Sequence, residues 1–173
     1  MGWKNLLSTS AQTVANAVAG SAATSSGVDS EWYRRLRKPA FQPPPAAFPI
    51  VWTLLYADIA VTSARVLGAQ QEASPTHGSS GRGAAREARR DERGYRRALA
   101  LNLALNAGWS WTFFAKRDTG LATLTAAALT VSSADLARRA GAVRPAYGAA
   151  LAPYAAWCAF ATALSGRIHQ LNS

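Results

Sequence analysis

Cysteine and histidine are nearly missing from this chain. Of its 173 residues one is a cysteine, Cys158, and two are histidines, His77 and His169, far apart and with no carboxylate at ligand spacing. A single thiol excludes an internal disulfide framework and any zinc site made of several cysteines. No metal centre is expected. Nor is there a nucleophile paired with an acid or base, and Cys158, inside an apolar run, reads as inert packing; conventional catalysis has no residues to use. Acidic residues are scarce too, nine against nineteen basic ones, for a net charge of +10. That balance suits nucleic acid, anionic lipid or an acidic small ligand. The distribution narrows the choice, because eight of the nineteen cations lie within residues 65–97 and long stretches elsewhere carry almost none.

What those long stretches lack is charge. Residues 5–28 and 98–115 have none at all. Five apolar segments, about 5–25, 49–67, 97–115, 119–138 and 145–168, alternate with four connections, and no period-2 strand pattern occurs in any of them. The fold class predicted is all-α, a single domain over 1–173. A soluble five-helix bundle needs charged faces on its helices; the third and fifth segments offer none. A five-transmembrane-helix bundle, an integral membrane protein, is therefore expected.

The first segment is the least apolar, with Ser8, Thr9, Ser10, Gln12, Thr13 and Asn16, and Lys4 before it gives it some likeness to a signal peptide. It is read as a retained helix. In the second, Asp58 is costly in lipid unless it finds a partner, and it is either a polar contact between helices or a site residue. Residues 68–94 have no aromatic and almost no branched aliphatic side chain, which predicts a basic flexible loop over about 68–95, helical near 84–93. Glu87, Asp91 and Glu92 interrupt its cations, so solvent or lipid-headgroup contact is expected there and nucleic acid is not. Lys4, the arginines of 82–97 and those of 138–144 fall on one side of a five-span topology, the cytoplasmic side by the positive-inside rule.

Two stretches are rich in what the rest lacks. Residues 32–56, WYRRLRKPAFQPPPAAFPIVWTLLY, join an aromatic pair to Arg34, Arg35, Arg37 and Lys38, then to prolines that fix the backbone in an ordered or extended loop. Pro49 then suits a first helical turn, and Trp52 and Tyr56 share one helix face at i, i+4. A lid over an aromatic-walled pocket fits this; so does a surface linker before a helix with core or interfacial aromatics. In LNLALNAGWSWTFF, Asn102, Asn106 and Trp109 fall on one stripe, and in the last segment Tyr154, Trp157, Ala161 and Ser165 fall on another, beyond a Pro153 expected to kink the helix. Amides on a membrane helix must turn inward, towards other helices or a ligand.

Taken in order, WYRRLRKPAFQPP, FPIVWTLLY, LNLALNAGWSWTFF and PYAAWCAFATALS resemble the TspO/MBR family, the translocator or tryptophan-rich sensory proteins, over roughly residues 32–172. The resemblance implies five spans in a multi-pass membrane protein of the bacterial cell membrane, often a homodimer. It implies a receptor or sensor binding protoporphyrin IX or haem-related tetrapyrroles as ligand, with no obligatory cofactor. Trp32, Tyr33, Pro43 and Pro44 then belong to the lid, and Phe48, Trp52, Tyr56 and Trp157 to the aromatic walls. Asn106 matches a ligand-contacting amide, Trp109 the aromatic one turn on, Ala161 a small residue where bulk alters binding, and Tyr154 the same wall. Arg34, Arg35, Arg37 and Lys38 are candidates for the propionates. Light-driven porphyrin breakdown through Trp52 and Trp157 is one alternative, and a transporter or interaction scaffold another. Three departures stand out. Phe41 replaces a customary lid tryptophan, the second connection is longer and more basic than usual, and no tyrosine lies between Leu164 and Arg167, which argues against sterol binding.

Overall fold

A computed structural model describes residues 3–73 and 81–173, and among these all regular structure is helical, with no strand. Five helices of 25 residues or more, α1 (Trp3–Val28), α3 (Ala47–Glu72), α4 (Gly81–Ser110), α5 (Thr119–Val143) and α6 (Pro145–Asn172), are joined by a five-residue α2 (Glu31–Arg35) and a π-helical turn, Trp111–Ala115, that continues α4. Three of them, α3, α5 and α6, are long and apolar enough to cross a membrane.

The basic segment departs in part from its expected form. It is helical over 84–93 as expected, but α3 runs on to Glu72 and α4 begins at Gly81 where a flexible loop is predicted; residues 74–80, which include His77, lie outside the described part. Sparse apolar content argued against a buried face, but Ala, Arg and Glu are strong helix formers, and Glu92 and Arg96 add an i, i+4 pair at 2.9 Å. The same pair ties three helices together. Arg96 reaches Asn5 Oδ1 at 3.1 Å, and Gln71 donates to Glu92 at 2.9 Å while accepting from Asn5 at 2.8 Å. Burial opposes the Glu92 carboxylate, yet hydrogen bonds from Gln71 and Arg96, with the charges of Arg96 and Arg89, hold its pKa below the usual range.

A second departure falls in the lid, whose start is helical. Ser30 caps α2, its Oγ accepting from Tyr33 N at 3.2 Å. From Leu36 to Ala46 there is no helix, and Pro39, Pro44 and Pro45 leave the chain in turns.

α1 is a packed member of the bundle. It buries Asn5, Thr9, Thr13 and Asn16 and exposes Trp3, Leu7, Val14 and Val18. Thr9 Oγ1 donates to Ala60 O of α3 at 2.8 Å, a backbone oxygen already inside a helix. α5 and α6 form the most extensive pair, joined by Arg144 alone. α6 is one helix across Pro153. Between the helices lies a core of Leu55, Ile59, Leu67, Leu99, Leu136 and Tyr154, with a smaller cluster around Phe113, Ala122, Leu164 and Ile168 at the lid end. Asp58 accepts from Thr62 one turn along its own helix, at 2.9 Å, and its charge is felt by Tyr95 of α4, which gives it a structural place outside the cavity described below.

Candidate functional site

The lid-end cluster does not fill its space. A cavity of about 390 Å³ opens where the C-terminal half of α1, the start of α3, the end of α4 and the end of α6 meet beneath the lid. α1 contributes small side chains, Ala17, Gly20 and Thr24, which leave room; the aromatic walls come from the other elements.

On α3, Phe48, Trp52 and Tyr56 line the cavity, and Trp52 stacks on Tyr56 with ring centroids 5.4 Å apart, as their four-residue spacing requires. Trp52 also lies 6.2 Å from Trp109 on α4. Trp109 is oriented by its indole N–H, which donates to Ser165 Oγ on α6 at 3.2 Å. The π turn then sets Phe113 and Phe114, consecutive residues, both onto the lining with centroids 4.9 Å apart. Its wide ring closes between Lys116 N and Trp111 O at 2.9 Å, and Arg117, at φ 57°, ends the helix in the left-handed conformation. Three successive elements thus aim aromatic faces at one space.

The roof is Tyr33, Gln42 and Pro45. Burial pushes the Tyr33 phenol above its ordinary value, against a smaller opposing effect of Gln42, so it stays a neutral donor. Asn172 holds the roof down: its amide donates to Arg37 O at 3.0 Å and accepts from Arg37 N at 2.9 Å, pairing the lid backbone with the end of α6. Lys38 Nζ sits 4.0 Å from the Tyr33 ring centre. Of the four cations considered for an acidic ligand, it is the one stacked on a lining residue. Arg34 donates to Asp29 O at 2.8 Å, and Arg35 pairs with Glu31.

Several residues singled out in the sequence stand elsewhere. Trp32 packs on Phe113 behind the lining, and Pro43 and Pro44 belong to the lid but not to its inner face, where Pro45 stands. Trp157 packs against Phe48 and Phe160, outside the cavity. Tyr154 is fully buried in the core, its hydroxyl on Asn102 Oδ1 at 2.7 Å, while Asn102 donates to Ser133 at 3.0 Å. Ala161 is buried and likewise off the lining. Asn106 lies just behind Tyr56. Its Oδ1 accepts from the Tyr56 hydroxyl at 2.7 Å and from Asn16 Nδ2 at 3.0 Å, while Asn106 Nδ2 and Asn16 Oδ1 are buried without a partner. Sequence reasoning missed Phe114, Gly20 and Gln42. The Phe-Phe pair at a helix end was in view, but nothing marked the turn as π-helical.

The described residues hold no cluster of His, Cys, Asp or Glu able to bind a metal. What the site offers is a mostly apolar, aromatic slot with a donor-bearing roof and a polar amide pair beneath. Comparison with known proteins agrees in extent with this architecture. Residues 9–171 match the TspO/MBR family. The chain is 30% identical over 145 residues to the uncharacterized membrane protein YtaB of Bacillus subtilis (strain 168), covering 84% of this chain and 83% of that protein. It is 31% identical over 145 residues to the tryptophan-rich protein TspO of Chlorobaculum tepidum, covering 83% and 80% respectively. With three helices apolar enough to span a bilayer and a family match over almost its whole length, the chain is a multi-pass membrane protein and belongs to the TspO/MBR family.

Proposed function

We propose that this chain is a five-span membrane receptor or sensor that binds a flat tetrapyrrole, protoporphyrin IX or a haem-related ring, in the aromatic cavity under the lid. α1 and α4 complete the five spans. α1 turns its polar side chains inward and its apolar ones outward, the reverse of a soluble helix and the arrangement lipid demands. α4 loses apolar character only through its arginine-rich first half, while residues 98–115 carry no charge.

The observation that carries the reading is the cavity itself. At about 390 Å³ it falls within the usual range for small-molecule sites, and its Trp52, Tyr56 and Trp109 faces suit stacking on a conjugated ring. Lys38, which stacks on the roof residue Tyr33, is the cation we assign to a propionate, with Arg37 as the reserve. A role in porphyrin homeostasis or transport follows from reversible binding, with a homodimer as the assembly.

Titration of the purified protein with protoporphyrin IX should quench tryptophan fluorescence. Trp52→Leu should raise the dissociation constant by about tenfold or more, the loss expected when a stacked aromatic face is removed. Trp157→Phe should leave it within about twofold, because that ring stands behind Phe48. A Trp157 effect larger than the Trp52 effect would move the ligand out of this cavity. The continuous ring contact from Trp52 to Trp109 also favours a second reading, light- and oxygen-dependent porphyrin breakdown relayed through those two indoles. Loss of porphyrin absorbance on illumination but not in the dark separates breakdown from binding.

A further inference from the structure

At the end of the bundle away from the lid, α4 and α5, with Gln70 of α3, line a second, open cleft of about 630 Å³. On α4 it lies twelve residues from the aromatic site (Arg97 to Trp109), about 18 Å at the helical rise. Arg90, Arg93 and Arg97 of α4 and Arg138 and Arg139 of α5 reach its lining, against one carboxylate there, Asp91.

The hydrogen bonds inside this group leave most of its donors unused. Arg138 and Arg139 share Asp135, at 2.6 and 2.5 Å, and Arg93 donates to Arg89 O of its own helix at 3.0 Å. Arg90 and Arg97 have no hydrogen bond or ion pair among the described residues. A guanidinium carries five N–H donors in a planar fork, so five of them around one cleft form a surplus of positive charge and of directed donors. Phosphate oxygens match both.

Position along the axis says where the phosphate comes from. Leu101, 58% exposed, is one turn from Arg97, and Val131, 72% exposed, is two turns from Arg138. On the helical rise Arg97 and Arg138 stand about 6 and about 10 Å beyond these residues, at the headgroup edge of the exposed apolar band, and Arg90, about 10 Å further along α4, meets the same cleft from its aqueous side. Basic clefts between spans at that depth bind anionic headgroups. We infer that the α4–α5 cleft binds the phosphate of an anionic phospholipid headgroup, with Arg90 and Arg97 as the donors not already engaged. The tetrapyrrole reading can fail without touching this one.

The test uses the full chain in detergent, offered equal amounts of phosphatidylglycerol and phosphatidylcholine and weighed with its retained lipid by native mass spectrometry. Preferential retention of phosphatidylglycerol is expected, reduced on the order of tenfold or more in Arg90→Gln/Arg97→Gln. Lys116→Gln/Arg167→Gln removes the same charge at the lid end from exposed positions and should leave retention unchanged. Equal retention of the two lipids, or an undiminished preference in Arg90→Gln/Arg97→Gln, overturns the assignment. An added arm with inorganic phosphate separates the sources: displacement of the lipid at matched concentration would make the occupant a free phosphate and remove the lipid from the proposal.

Discussion

Gly148→Val should lower the melting temperature of the purified protein by about 10 °C or prevent its folding, the largest stability effect expected of any single substitution here. A Cβ at Gly148 would stand 2.9 Å from Gly141 Cα, 3.0 Å from Ala137 O and 3.1 Å from Gly141 N. All three are backbone atoms of α5, which cannot rotate aside as a side chain would. The helices cannot part there either, because Arg144 alone joins them, four residues from Gly148. Overpacking costs about 1–3 kcal/mol, and valine adds two methyl groups at the point of contact. Gly148→Ala separates the causes. Alanine gains about 1 kcal/mol of helix propensity over glycine, so a fall of only a few degrees is expected for it. Gly83→Ala is the control, since nothing lies within 4 Å of that Cβ and a slight rise should follow. Thermal melts of the three variants in one detergent decide the matter. Equal curves for Gly148→Val and wild type would mean that α5 and α6 do not approach so closely.

Much of this arrangement was legible in the chain because helical period reports faces. Trp52 and Tyr56 stack, and Asn102 and Asn106 turn inward, as their spacing predicts. Period says nothing of depth. Tyr154 and Ser165 share a stripe of α6, yet Ser165 lines the cavity and Tyr154, about 16 Å along the axis, is sealed in the core on Asn102. Trp157 has the right face and almost the right depth, but Phe48 stands between it and the open space. Composition misled differently at residues 81–94, where few apolar side chains left the helix largely exposed but did not prevent it. Helix propensity sufficed for structure there. α1 was hardest to read, since a stripe of Asn and Thr points outward in water and inward in lipid, and only the surrounding solvent decides which.

Gly27→Val should weaken porphyrin binding in a protein that still folds, raising the dissociation constant by at least about tenfold. A Cβ at Gly27 would fall 2.5 Å from Phe114 Cβ and 2.7 Å from Phe114 Cδ1. The first of these atoms is fixed to the backbone of the π turn, so rotating the ring relieves only part of the overlap. Either the last turn of α1 moves out or the π turn moves in, and both displace the Phe114 wall. Gly27 sits where the lid departs, its carbonyl accepting from Ser30 N at 3.1 Å and Ser30 Oγ at 2.6 Å, so an outward shift of α1 would drag the α2 cap and Tyr33 with it. Gly20→Ala makes the graded comparison. Its Cβ would meet Ser110 Oγ at 3.4 Å and project into the cavity without striking a wall, so a loss of only a few fold is expected. Fluorescence quenching by protoporphyrin IX measures both, with helical content from circular dichroism as the check on folding. Because Gly27 lies behind the Phe114 wall and not in the cavity, its effect reaches a ligand through that ring or through the Tyr33 roof, and full affinity in a folded Gly27→Val protein would show that the porphyrin leans on neither.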